Sequence, residues 1–144
     1  MILPHCTESE RQVLGSLMVA EPHEIDLIFS RLTAEAFYSK RYQEIFTACH
    51  ALYVRSGSID PVSLSNVLGQ TATVEYLTGI AGKVLSSANV EFHVGEVLDY
   101  SRKRRIIELA NEAIKQANDA AVSSTDIIAA QDAEMFRLSQ GAAS

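Results

Sequence analysis

The stretch SANVEFHVGEVLDYSRKRRIIELANEAIKQANDA, residues 87–120, decides the fold. It holds no proline, and its apolar residues return every three or four places. Val90, Val94, Val97 and Leu98 come first, followed by Ile106, Ile107, Leu109, Ala110, Ala113, Ile114 and Ala117. Side chains three and four apart share one face of a helix, so this period predicts a single long helix. Ser123 and Asp126 follow it as an expected capping box, opening a last helix to about Ser139. Ile127, Ile128, Gln131, Met135 and Leu138 line one side of that helix. Residues 87–144 thus read as a helical hairpin with apolar residues on two faces in places. Such a pair buries its surplus against a second chain or folds back onto its own bundle.

Upstream, residues 1–86 read as a compact helical bundle. Thr7 and Glu10 predict a capping box, followed by the inward stripe Val13, Leu14, Leu17 and Met18. Gly15 on that helix leaves room for a close neighbour. Pro22 opens a helix to Arg31 with Ile25, Ile28, Phe29 and Leu32 on its apolar side. Ser39 caps a helix to about Arg55, with the stripe Tyr42, Ile45, Phe46, Cys49, Leu52 and Tyr53, and Gly57 ends it. Asp60-Pro61 opens a short helix with Val62, Leu64, Val67 and Leu68, ending at Gly69. Another holds Val74, Tyr76, Leu77 and Ile80. No alternating β-branched run competes with this, so the fold class is all-α: a compact helical bundle, then a long helical hairpin.

Composition narrows the function. With 144 residues and 47% hydrophobic content the chain builds a real core, and a net charge of -6 is unlike a domain that grips phosphate backbones. Little direct nucleic-acid binding is expected. Cys6 and Cys49 lack a disulfide framework, which points to a reduced, cytoplasmic protein. No apolar run reaches the ~20 residues that span a bilayer, so no membrane partner is expected, and Met1-Ile2-Leu3-Pro4-His5 is too short for a signal peptide.

Catalytic chemistry is missing from the pattern. None of the seven glycines belongs to a G-x-x-x-x-G-K-[ST] phosphate cradle. His5, His23, His50 and His93 are scattered without metal-ligand spacing. Cys49 lies on a core stripe and reads as packing. Glu8, Glu10, Glu21 and Glu24 fit capping and first-turn charge better than an acid–base pair. Arg102-Lys103-Arg104-Arg105 is the one basic run, but successive helical positions fan it through about 300°. Asp99 and Glu108 stand at helix-pair distance from Lys103 and Arg104. The run reads as a self-paired surface, an anchor for an acidic partner, or a weak DNA contact.

Several short motifs then occur in one order. Leu3-Pro4-His5, Glu8-Ser9-Glu10 and Val13-Leu14-Gly15 come first, then Ala36-Phe37-Tyr38, Ile45-Phe46 and Ile59-Asp60-Pro61-Val62-Ser63-Leu64. Tyr76-Leu77, Ser87-Ala88-Asn89-Val90, Arg104-Arg105-Ile106-Ile107 and Ala110-Asn111 complete the set. Together they resemble the amino-terminal domain of bacterial replicative DNA helicases, the DnaB family, from about residue 3 to 139. The family's proline before the S-A-A-N element is replaced here by Leu85-Ser86, its Gly-Gly before Y-L is absent, and Gly95 is expected to interrupt the long helix.

The resemblance implies a non-catalytic collar domain that supports ring assembly and docks primase during DNA replication. It implies a homodimer that becomes a hexamer in the full-length helicase, with a helicase loader as a further partner. It places primase contacts at Glu8, Tyr76, Arg104 and Ile107. Self-pairing is expected at Val94, Leu98, Ile106, Ile114, Ile128 and Met135. The RecA-like ATPase domain is absent from these residues, so no enzyme activity and no cofactor are expected in this chain, with ATP and Mg reserved for the motor. The rivals are a stand-alone helicase-interacting or loader-type adaptor, a helix-turn-helix DNA-binding regulator, and a small enzyme with an unfamiliar site.

Overall fold

The computed structural model describes residues 2–84 and 89–140. The Leu85-Ser86 departure, Ser87-Ala88 of the family motif and the expected start of the hairpin lie outside the described residues. Seven α-helices follow one another: α1 (Thr7–Val19), α2 (Pro22–Arg31), α3 (Lys40–Ser56), α4 (Pro61–Leu68), α5 (Val74–Gly82), α6 (Val90–Ala117) and α7 (Ser124–Ser139). Single 3-10 turns occupy Ala34–Ala36 and Gly69–Thr71, and no strand occurs among the described residues. The fold is all-α, as expected.

Most helix starts follow from their caps, each satisfying a backbone N–H that the helix leaves orphaned. Ser39 Oγ accepts from Tyr42 N at 3.1 Å, and Asp60 Oδ1 accepts from Ser63 N at 2.9 Å. Thr73 and Ser123 do the same for Tyr76 N at 3.1 Å and Asp126 N at 3.2 Å. Glu21 and Glu24 form a reciprocal capping box ahead of Pro22. Gly57 closes α3 at φ 74°, a left-handed position that suits glycine.

Helix α1 departs from expectation. Its N-cap is Cys6, which makes no side-chain cap bond, and the Thr7–Glu10 capping box does not form. Glu10 is instead turned inward, 2% exposed, and both its carboxylate oxygens lie 3.2 Å from the Tyr38 N–H. An orphan N–H from a distant turn takes the carboxylate that the local motif would have used.

The core centres on α1. Val13, Leu14 and Leu17 are fully buried, and α1 packs against α5 and α6. Gly15 makes the α5 contact close: a Cβ there would stand 2.7 Å from Ile80 O. Ile28, Ile45, Cys49, Leu64 and Leu77 complete the same cluster. Burial pushes the Cys49 thiol up to about 12, consistent with a packing role.

Two expectations about the hairpin need correction. Val90, Val94, Val97 and Leu98 belong to the bundle's own core, so the bundle does not stop at residue 86 but takes in the first half of α6. Val94 at 0% and Leu98 at 5% exposure have no surface to offer a second copy. Their spacing signalled burial correctly and the burying partner wrongly, because the short helices α1–α5 leave a groove that one more helix fills. Gly95 does not interrupt α6, which runs unbroken to Ala117.

Candidate protein-interaction surfaces

Beyond the bundle, α6 continues and α7 returns along it. The joint is polar. Gln131 Nε2 donates to Leu109 O at 2.9 Å. Arg105 reaches Glu108 at 3.0 Å, Glu112 at 3.5 Å and, across the helix pair, Glu134 at 3.3 Å. Arg137 pairs with Glu134 at 2.6 Å, and the hydrogen bonds from Arg137 and Arg105 hold that carboxyl below the usual range. These are solvent-screened surface pairs, so they set geometry more than stability.

Apolar burial in this half is sparse. Leu109 is 2% exposed, whereas α7 contains no buried residue. Ile106 (42%), Ile114 (62%), Ile128 (60%) and Met135 (46%) of the expected pairing set are exposed, as is Phe136 at 67%, which the sequence reading did not single out. Four of the six expected pairing residues are therefore available on one hairpin, and two are not.

The basic run makes no patch. Lys103 pairs with Asp99 at 3.3 Å as expected, but Arg104 does not pair with Glu108; Arg105 does. Arg104 points inward, 7% exposed, donating to Pro4 O at 2.9 Å and Ala36 O at 2.8 Å. Burial pulls its pKa down, opposed chiefly by the Glu10 carboxylate. Burial likewise raises the Glu10 carboxyl, opposed by the Tyr38 N–H and Arg104. His5 stacks on Tyr38 at 3.9 Å, 3° from parallel, completing a cluster that ties the N-terminal segment, the Ala34–Ala36 turn and α6 together. The expected partner-facing role of Arg104 gives way to this internal one. No local pattern announces the cluster, since its members lie up to a hundred residues apart in sequence.

Glu8 and Tyr76 sit on the opposite side of α1. Glu8 is exposed and accepts from Gln12 Nε2 at 3.3 Å, while the same amide donates to Lys83 O at 2.9 Å. Tyr76 is half-buried, with the Arg41 guanidinium 3.7 Å above its ring. Ile107 is half-exposed on α6. No hydrogen bond, ion pair or ring contact among the described residues joins Glu8 or Tyr76 to Arg104 or Ile107.

A cleft of about 550 Å3 opens between the Ala34–Ala36 turn, α6 and the end of α7. Of its lining arginines, Arg105 and Arg137 pair with Glu108 and Glu134, and Arg104 bonds the Pro4 and Ala36 carbonyls, which reads as a joint between elements. Among the described residues no group of three His, Cys, Asp or Glu could hold a metal ion. None of the chain's helices, among the described residues, is long and apolar enough to cross a membrane.

A helical bundle with a hairpin, its Arg104 and Arg105 charges engaged within the chain and apolar residues left outside, is an all-α scaffold. The comparisons place it more closely. A model of the DnaB-like helicase N terminal domain matches residues 2–99, and the chain belongs to that family. It is 33% identical over 142 residues to the replicative DNA helicase DnaB of Rhodothermus marinus, which covers 94% of this chain and 15% of that protein. It is 31% identical over 123 residues to the replicative DNA helicase DnaB of Buchnera aphidicola, covering 81% of this chain and 26% of that one. The chain thus spans about a quarter or less of these relatives. The N-terminal domain of DnaB helicase from Mycobacterium tuberculosis superposes with a TM-score of 0.80 at 21% identity, over 94% of this chain and 99% of that one. A DnaB-like replicative helicase, from a structure describing its interactions with primase, gives 0.70 at 25% identity over 94% of this chain and 31% of that one.

Proposed function

We propose that this chain is the non-catalytic collar domain of a replicative DNA helicase, pairing with a second copy through its hairpin and offering a docking surface to primase. One observation carries the pairing: α7 buries no residue of its own while Ile114, Ile128, Met135 and Phe136 stay 46–67% exposed. A helix of this length held only by polar contacts and one apolar seam is marginal in water. A second copy covering that face adds apolar burial at about 25 cal/mol per Å2. In a full-length helicase, three such pairs make a hexamer ring.

Primase docking rests on the family and on the primase interactions described for the related helicase structure. Glu8, Tyr76 and Ile107 are its remaining surface candidates, and a loader is a further partner of the same kind. ATP and Mg would serve a motor domain; the residues here hold no phosphate cradle for them.

Light scattering of the chain at micromolar concentration tests the pairing. A dimer is expected, shifted to monomer by Ile128→Glu with Met135→Glu, two surface changes that leave the bundle's core intact. A monomer under all conditions, or a dimer indifferent to both substitutions, refutes it. A pull-down with primase from the same organism tests docking, with Tyr76→Ala and Ile107→Ala expected to weaken it.

A further inference from the structure

On α6, Lys103, Arg104 and Arg105 are engaged within the chain, whereas Arg41 on α3 and Arg11 on α1 make no ion pair among the described residues. Arg41 Nε donates to Thr71 O at 3.0 Å, and its guanidinium lies 3.7 Å over the Tyr76 ring. Those two contacts hold the guanidinium in place, while Arg41 as a whole is exposed. Next to it, the Tyr42 hydroxyl lies close enough to Tyr76 and Arg11 to feel both groups. Arg11 Nε is buried with no partner at all. Among the described residues, no carboxylate lies within ion-pair distance of Arg11 or Arg41, although Glu44 follows Arg41 by three positions and Glu75 adjoins Tyr76 in sequence.

An arginine on a surface is usually a flexible group with a solvated charge. Held by a carbonyl and an aromatic face, it becomes a preformed fork whose two remaining N–H edges match the two oxygens of a carboxylate. Less ordering entropy is then lost on binding. A phosphate fits the same fork, but the chain carries a net charge of -6 and this site has only two cations, which disfavours a polyanionic nucleic acid.

We infer that Arg41, seated on Tyr76 and backed by Arg11 and Tyr42, is a carboxylate-recognition site for an acidic segment of a protein partner. The inference takes from the docking reading only that the partner is a protein, and it adds the chemistry of the contact.

The test needs no primase. A fluorescein-labelled oligoglutamate peptide is titrated with the whole chain at low salt and followed by anisotropy, beside oligoglutamine and oligothymidylate of equal length. Saturable binding of oligoglutamate alone is expected. It should weaken about tenfold or more in Arg41→Gln and several-fold in Arg41→Lys, which keeps the charge and loses the fork. Arg55→Gln, roughly 21 Å along α3 by helix rise, should leave it unchanged. Thermal melts of each variant check that these exposed changes leave the fold intact. The site is overturned if the wild type shows no oligoglutamate binding. It is equally overturned if Arg41→Gln binds as well as the parent, or if oligothymidylate binds more tightly with the same dependence on Arg41. A primase that fails to bind while the peptide result holds would count against the docking reading and leave this site standing.

Discussion

Replacing Gly15 and Gly95 by alanine, one at a time, should move stability in opposite directions. Both lie inside helices, α1 and α6, where alanine is intrinsically favoured over glycine by about 0.8–1 kcal/mol. At Gly95 nothing stands within 4 Å of the new Cβ, so the intrinsic gain is realised and the variant should be about 0.5–1 kcal/mol more stable. At Gly15 the new Cβ would meet Val84 Cγ2 at 2.6 Å and Ile80 O at 2.7 Å. The valine methyl can rotate away, but the carbonyl cannot, so α5 must shift. Overpacking of this kind costs roughly 1–3 kcal/mol. After the intrinsic gain is subtracted, a net loss of up to about 2 kcal/mol remains. At this size 1 kcal/mol is roughly 4 °C in Tm, so the two variants should melt several degrees either side of the parent. Urea unfolding followed by far-UV circular dichroism measures the difference, at one fixed protein concentration so that self-association does not enter. A Gly15→Ala protein as stable as its Gly95→Ala counterpart would refute the close α1–α5 approach.

Three further outcomes follow from the buried polar groups. Glu10 has its folded pKa raised, so its contribution favours the fold below the ordinary carboxyl pKa and is lost as pH rises through the folded value. Urea unfolding across that window should show the parent losing stability relative to Glu10→Gln, which keeps an acceptor for the Tyr38 N–H; parallel curves would contradict it. Arg104→Met strands the Pro4 and Ala36 carbonyls and should cost roughly 2–4 kcal/mol in the same assay, against less than about 1 kcal/mol for Arg105→Met. Equal losses would mean Arg104 is not the internal tie. With a chromogenic disulfide reagent at mild alkaline pH, Cys6 should react promptly and Cys49 only on unfolding, because burial holds its thiol at about 12; two fast thiols would show that the core is open.

The helices were legible because their signals are local. Ser39, Asp60-Pro61, Gly57 and Ser123 act within one turn of themselves, and each ends or begins a helix where expected. The failures share the opposite property. Glu10 satisfied a local motif on paper but serves Tyr38, 28 residues away. Arg104 stood four before Glu108, yet bonds Pro4 and Ala36, and the neighbouring Arg105 takes the carboxylate. Val94 and Leu98 had the right period, but period says only that a face is covered. It is silent on which element covers it. The Arg41–Tyr76 platform had no signal in the pattern at all, because a stacked pair from α3 and α5 depends on how α4 returns the chain.

That distinction bears on the hairpin. Along α6 one helical period has two fates: Val90, Val94, Val97 and Leu98 complete the bundle, and past Arg104 the pattern continues with Leu109 as its single fully covered large side chain. Arg104 marks the change, tied to the N-terminal segment and the Ala34–Ala36 turn, so the helix leaves the bundle from a fixed point rather than fraying from it. The Arg105–Glu134–Arg137 network, with Gln131 on the Leu109 carbonyl, then sets how α7 lies on α6. Salt weakens such exposed pairs, whereas apolar contacts strengthen in kosmotropic salts. A hairpin held only within its own chain should therefore loosen as salt rises, and one covered by a second copy should hold. The exposed Ile128, Met135 and Phe136 are the face that the proposed second copy would cover.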